Sequence, residues 1–115
     1  MDIKEFYNSI NSNYGEVFDR IPDDNFILKF VLKFMNDESF TNLKKAFEEK
    51  NVEEAFRAAH TLKGVCANLG FNQLFEVSKE LTDVLRKKSF DGSNELYQKV
   101  CDEYQKVIDG IKQIQ

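Results

Sequence analysis

The sequence predicts an all-α fold, an antiparallel four-helix bundle preceded by one or two short helices. Three observations carry that expectation. Apolar residues recur at steps of three and four almost everywhere. A single Pro and five Gly leave long stretches free for helix. Helix start and stop signals divide the 115 residues into segments joined by short connections, which makes consecutive helices antiparallel neighbours.

From the N-terminus, Ile3, Phe6, Tyr7 and Ile10 share one face of a short helix, broken by Asn11-Ser12-Asn13-Tyr14-Gly15. A further turn or two spans Glu16 to Ile21. Pro22-Asp23-Asp24 then opens a helix, with Asp23 as N-cap acceptor. Phe26, Ile27, Phe30, Val31 and Phe34 follow helical spacing, and the phase shifts at Asn36-Asp37-Glu38-Ser39 before resuming at Phe40, Leu43 and Phe47. That stretch is one bent helix or two consecutive ones, and its Phe residues are expected in the core. Asn51 with Glu54 is a variant of the capping box, opening a helix that Gly70 closes. The next runs from about Asn72 to Lys88 with Leu74, Ser78, Leu81 and Leu85 inward. After the Asp91-Gly92-Ser93 turn, the last carries Leu96, Val100, Tyr104, Val107 and Ile111. The chain is expected to be one domain over residues 1–115.

Composition narrows the function classes. The 42% apolar content and eleven Phe can fill one core. No apolar run approaches the roughly 18–20 residues that span a bilayer, and the first residues lack a signal-peptide layout. A cytoplasmic, stand-alone protein is the expectation. A net charge of −4 argues against nucleic-acid binding, which favours a basic patch or stripe. Cys66 and Cys101 match no zinc or redox spacing and read as packing thiols. The wheel leaves no large apolar stripe unaccounted for, so a monomer is expected.

The informative helix is the one from Val52 to Gly70. Val52, Ala55, Ala59, Leu62, Cys66 and Leu69 form a bundle seam, with small residues that admit a close neighbour. His60, the single histidine, lies roughly 130° from the centre of that seam and should face solvent. Its neighbours along the same face are Lys63, Gly64 and Ala67. A mid-helix Gly is unfavourable by about 1 kcal/mol against Ala, and packing gives no reason for Gly64 on a solvent-facing position. A partner docking against the imidazole would. Lys63 offers a point charge suited to phosphate oxygens. An exposed nucleophile, an adjacent cation and a cleared surface suit transfer of an anionic group.

The stretch Ala58-Ala59-His60-Thr61-Leu62-Lys63-Gly64-Val65-Cys66-Ala67-Asn68-Leu69-Gly70 resembles the signature of histidine-phosphotransfer (HPt) domains of multistep phosphorelays. The order of predicted helices is also similar, over nearly the whole chain. Val65 and Cys66 depart mildly from the small residues usual in the signature. The resemblance implies a phosphocarrier that uses no ATP. Its histidine would take the phosphoryl group from the aspartate of a receiver domain, in a hybrid histidine kinase or response regulator, and pass it to a second receiver. By position, His60 would be the carrier, Lys63 a phosphate or receiver contact, and Gly64 the space-maker. No cofactor is implied, with Mg²⁺ expected on the partner receiver. Arg57, Ala67 and Phe71 complete the expected docking surface, with Phe6 and Ile10 of the first helix. Arg86-Lys87-Lys88 reads as a solvated helix end that could help steer a partner.

Other classes fit less well. A metal or haem bundle would want several ligating side chains, whereas this chain has one His. A histidine kinase would need a Gly-rich nucleotide loop, and no G-x-G occurs. An adaptor that docks a signalling partner without carrying phosphate is the nearest alternative, and the presence of His60 counts against it.

Overall fold

A computed structural model describes residues 1–114. They form seven α-helices: α1 (Ile3–Ser9), α2 (Tyr14–Arg20), α3 (Asp24–Lys33), α4 (Ser39–Glu48), α5 (Val52–Leu69), α6 (Asn72–Leu85) and α7 (Asn94–Lys112), with a 3-10 turn at Phe34–Asn36. No strand occurs among the described residues. The expected N-cap acceptors at Asp23 and Asn51 form, but the capping box at Asn51 is only half made, because the Asn51 N–H donates to Ala46 O and the Glu54 carboxylate holds Arg57. Asp23 accepts from the backbone N–H groups of Asn25 and Phe26 at 2.8 and 3.2 Å, and Asn51 accepts from Glu54 N–H at 3.2 Å. Gly70 caps α5 in the left-handed region, at φ 73°. The ambiguity near Asn36 resolves as two helices. Asp37 is extended, and its carboxylate accepts from Ser39 N–H at 2.8 Å, which starts α4 afresh.

α4, α5, α6 and α7 make the four-helix bundle, each packed against its chain neighbour. The α5 seam is buried from Ala55 through Ala59, Leu62 and Cys66 to Leu69. Its small residues hold the neighbours close. α4 and α7 meet instead through flat aromatic stacks, Phe40 on Tyr104 and Phe47 on Tyr97, both with ring centroids 4.0 Å apart. Large side chains therefore close the ring on the side where the helices stand furthest apart. Burial keeps both thiols protonated: it pushes Cys66 well above the usual thiol range and raises Cys101.

The N-terminal arm covers the end of the bundle at which α5 turns into α6. Phe6 and Tyr7 of α1 meet Phe71 at ring distances of 5.8 and 5.9 Å, and Phe34 joins Phe71 at 5.2 Å. The Tyr7 hydroxyl donates to Leu69 O at 2.5 Å, and Arg20 Nη1 donates to Ala67 O at 3.2 Å. These bonds satisfy carbonyls that a helix end leaves free. Desolvation also raises the Tyr7 phenol well above its ordinary value.

Two expectations are corrected here. Phe26 and Phe30 are exposed, at 53% and 40%, and not part of the core. The inward face of α3 is filled by Ile27, Val31 and Phe34, and Phe30 and Phe26 lie about 65° and about 105° away from its centre. Leu32 and Met35 are exposed on the opposite flank. An apolar strip is therefore left uncovered, contrary to the expectation of none.

Candidate functional site

α5 presents His60 on its outer face, at the middle of the helix and exposed to solvent. The orientation follows from the seam: with Ala59, Leu62 and Cys66 fixed inward, the 100° advance per residue turns residue 60 outward. Its imidazole lies 6.1 Å from the Phe56 ring, at an interplanar angle of 60°. Gly64, one turn on, is exposed, and a Cβ built there would meet nothing within 4 Å. Packing in this chain gives no reason to exclude a side chain at that position.

His60 opens into a shallow cavity of about 860 Å³ that Gly64 and Arg57 also line. Its charged lining is mostly cationic. α6 stops at Leu85, three residues short of the expected Lys88. Arg57 is joined by the α6 C-cap Arg86 and by Lys88, which lies beyond the helix in the left-handed region at φ 63°, against one carboxylate, Glu53. Arg57 is held by Glu54 at 2.5 Å, and Arg86 by Asp83 at 3.0 Å. The Arg86 guanidinium also lies 5.6 Å from the centre of the Phe56 ring, within cation–π range. Arg86, Phe56 and His60 thus form a row across the α5–α6 groove. Cations thus outnumber carboxylates in the lining itself, with Glu54 and Asp83 partly offsetting Arg57 and Arg86 from outside it.

The structure brings His60, Gly64 and Arg57 into one cavity. Lys63 is half-buried on the flank of α5, outside that lining, and forms no ion pair with the described residues. Ala67 is exposed two turns from His60 and lines a separate, smaller hollow shared with Arg20 of α2. Phe71 is corrected: it is fully buried among Phe6, Tyr7 and Phe34. The left-handed Gly70 reverses the chain, so residue 71 no longer continues the α5 wheel. Phe6 and Ile10 are likewise buried and cannot dock a partner, because the single apolar face of α1 is spent on the bundle end. Arg86 and Lys88, read from sequence as a solvated helix end, are the site residues whose place was missed. Among the described residues, no group of three or more His, Cys, Asp or Glu could hold a metal.

A family model described as Hpt domain matches residues 31–113, well over half of the chain. The chain belongs to the Hpt domain family. Hpt domains are phosphocarriers of two-component phosphorelays, distinct from kinases, and they work with receiver domains. No curated protein and no solved structure matches the chain. No helix among the described residues is long and apolar enough to cross a membrane.

Proposed function

We propose that this Hpt domain carries a phosphoryl group on His60, taking it from the aspartyl phosphate of one receiver domain and giving it to another. The observation that carries the reading is the pairing of exposed His60 with open space at Gly64 inside a cationic cavity. The unprotonated ring nitrogen attacks phosphorus. A P–N bond forms as the P–O bond to the aspartyl carboxyl breaks, and the carboxylate leaves with the bonding pair. The reverse step loads the next receiver, so the domain can drain a regulator as well as feed one.

Transfer of this kind depends on positioning and charge stabilisation. The α5 backbone fixes the imidazole. Gly64 lets the donor approach to bonding distance where a side chain would intrude. Arg57, Arg86 and Lys88 stabilise the dianion from the rim, while Lys63 reaches from the flank to phosphate or receiver. Ala67 extends the flat landing surface. The Mg²⁺ that such transfer needs belongs to the receiver, and no nucleotide site is required here. The domain acts as a monomer on soluble partners in the cytoplasm.

The test is incubation with a panel of receiver domains charged by acetyl phosphate, beside a His60→Gln control. Acid-labile phosphate on the natural chain and none on the control is the expected result. Receiver binding without phosphate uptake would replace this reading with that of an adaptor.

A further inference from the structure

The apolar strip left uncovered on α3 has a regular order. Asp23, Phe26, Phe30 and Lys33 follow one another at steps of three, four and three, and all four are exposed. They lie within about 40° of a single line along the helix. Phe26 and Phe30 are 53% and 40% exposed, and neither is needed for the inward face that Ile27, Val31 and Phe34 complete. The Lys33 ammonium lies 5.9 Å from the centre of the Phe30 ring. At the other end, Asp23 accepts the N–H groups of Asn25 and Phe26 through Oδ1 alone. Among the described residues, neither Asp23 nor Lys33 forms an ion pair.

This stripe is complementary to itself. Asp23 and Lys33 are both five residues from Leu28, and Phe26 and Phe30 are both two. A twofold axis at the level of residue 28 therefore lays each Phe26 against the Phe30 of a second copy, and each Asp23 against its Lys33. Such an isologous contact closes on two copies. The parallel arrangement would set Asp23 on Asp23 and Lys33 on Lys33, so charge selects the antiparallel one. The stripe is about 15 Å long and one helix, about 10 Å, wide. That falls well short of the roughly 800 Å² per partner in a stable interface, so the pairing is weak and releases monomers on dilution.

We propose that α3 mediates a weak, antiparallel self-association of this chain through Asp23, Phe26, Phe30 and Lys33. The monomer remains the form that transfers phosphate. Phe30 and Lys33 wall a hollow that also reaches Val65 and Asn68, and these two line the His60 cavity as well. A second copy on the stripe therefore shields one side of the approach to His60. That consequence rests on the phosphotransfer reading above, whereas the pairing itself does not. The opposite flank of α3, where Leu32 is 45% exposed, has Lys29 and Lys33 in its hollow and no carboxylate, so it is not complementary to itself.

Sedimentation of the full chain over a range of concentrations tests the pairing without phosphate or receiver, with circular dichroism verifying the helix content of each variant. The natural chain should pass from monomer to dimer, with nothing larger, and added salt should weaken the dimer. Phe30→Ser and Phe26→Ser each remove a ring twice per dimer and should weaken it about tenfold. Lys33→Glu should also weaken it about tenfold, and Leu32→Ser should leave it unchanged. Asp23→Asn keeps the helix cap. It should weaken the natural dimer about threefold yet strengthen that of Lys33→Glu, where two carboxylates would otherwise meet. A natural chain that stays monomeric at every concentration overturns the proposal, as does an equal loss in Leu32→Ser. Asp23→Asn weakening both backgrounds alike would overturn the antiparallel register. An excess of a receiver that loads the natural chain should split the dimer into one-to-one complexes, and complexes of two and two would overturn the shielding. If no receiver loads the chain, the phosphotransfer reading and the shielding fail together, while sedimentation alone decides the pairing.

Discussion

The bundle and the N-terminal arm bury apolar surface by different means. α4 to α7 repeat a seam over many turns, and α5 supplies it with Ala55, Ala59, Leu62 and Cys66. α1 and α2 have seven residues each, too few to be stable helices alone. The arm holds on with a few large groups: the Phe6 and Tyr7 rings, the Tyr7 hydroxyl on Leu69, and the Arg20 guanidinium on Ala67. A repeated seam announces its partner through its period. A handful of large side chains on a short helix fits a partner protein or the chain's own end equally well, and only the fold decides.

The largest test of that contrast compares Phe6→Ala with Leu62→Ala, both fully buried. Phe→Ala in a core loses about 3–5 kcal/mol and Leu→Ala about 2–5 kcal/mol, so the two should unfold at similarly lowered urea concentrations. A loss below about 1 kcal/mol for Phe6→Ala, where such truncation ordinarily removes several, would show the arm to be a detachable cover.

Next come the two glycines of the same helix region. Gly70 sits at φ 73°, and a Cβ there would collide with Val17 of the arm. Gly70→Ala should lose about 2 kcal/mol from backbone strain and more from that collision. Gly64 has neither constraint, so Gly64→Ala should stabilise the fold by up to about 1 kcal/mol while slowing phosphoryl uptake. Thermal melting and transfer rates read both effects. Equal signs in the melting data would remove the distinction between a glycine the fold needs and one the partner needs.

The smallest effect is alkaline. Cys66 in the bundle and Tyr7 in the arm both have raised folded values, caused first by desolvation. The folded state thus holds protons that the unfolded state releases, and stability is lost as pH rises. The loss should begin above the ordinary thiol value of 9.0 and steepen above the ordinary phenol value of 10.0. Urea titrations across this range should show Cys66→Ala weakening the first phase, to which the raised Cys101 thiol also contributes, and keeping the second. A first phase of undiminished size in that variant would exclude Cys66 as its source.

These contrasts also explain what the sequence disclosed. Asp23, Asn51 and Gly70 cap their helices because their chemistry is local, within three residues of the groups they satisfy. The outward turn of His60 follows from one helix's own period. Phe71 was misplaced because the left-handed Gly70 breaks that period one residue earlier. Phe26 and Phe30 were misplaced because α3 has more apolar residues than its inward face can use. Arg86 and Lys88 meet His60 only across two helices. Counting outward from the turn at Gly70 would place residue 86 opposite the mid-fifties for an antiparallel pair at about 1.5 Å per residue. The signal for them was present, though not in any local motif.

The Met1 amino group donates to Gln113 O at 3.2 Å, so the path of the chain is nearly a closed loop. A short peptide joining those ends would leave the fold undisturbed, and new ends could be cut at the exposed Asp91-Gly92 turn. Such a permuted chain would keep α5 and its neighbours in the same arrangement. A host protein could likewise accept the whole unit at one surface loop, since the points of entry and departure coincide. Met1 and Gln113 meet in space although 112 positions separate them along the backbone, and splicing the unit elsewhere would leave the geometry around His60 as it is.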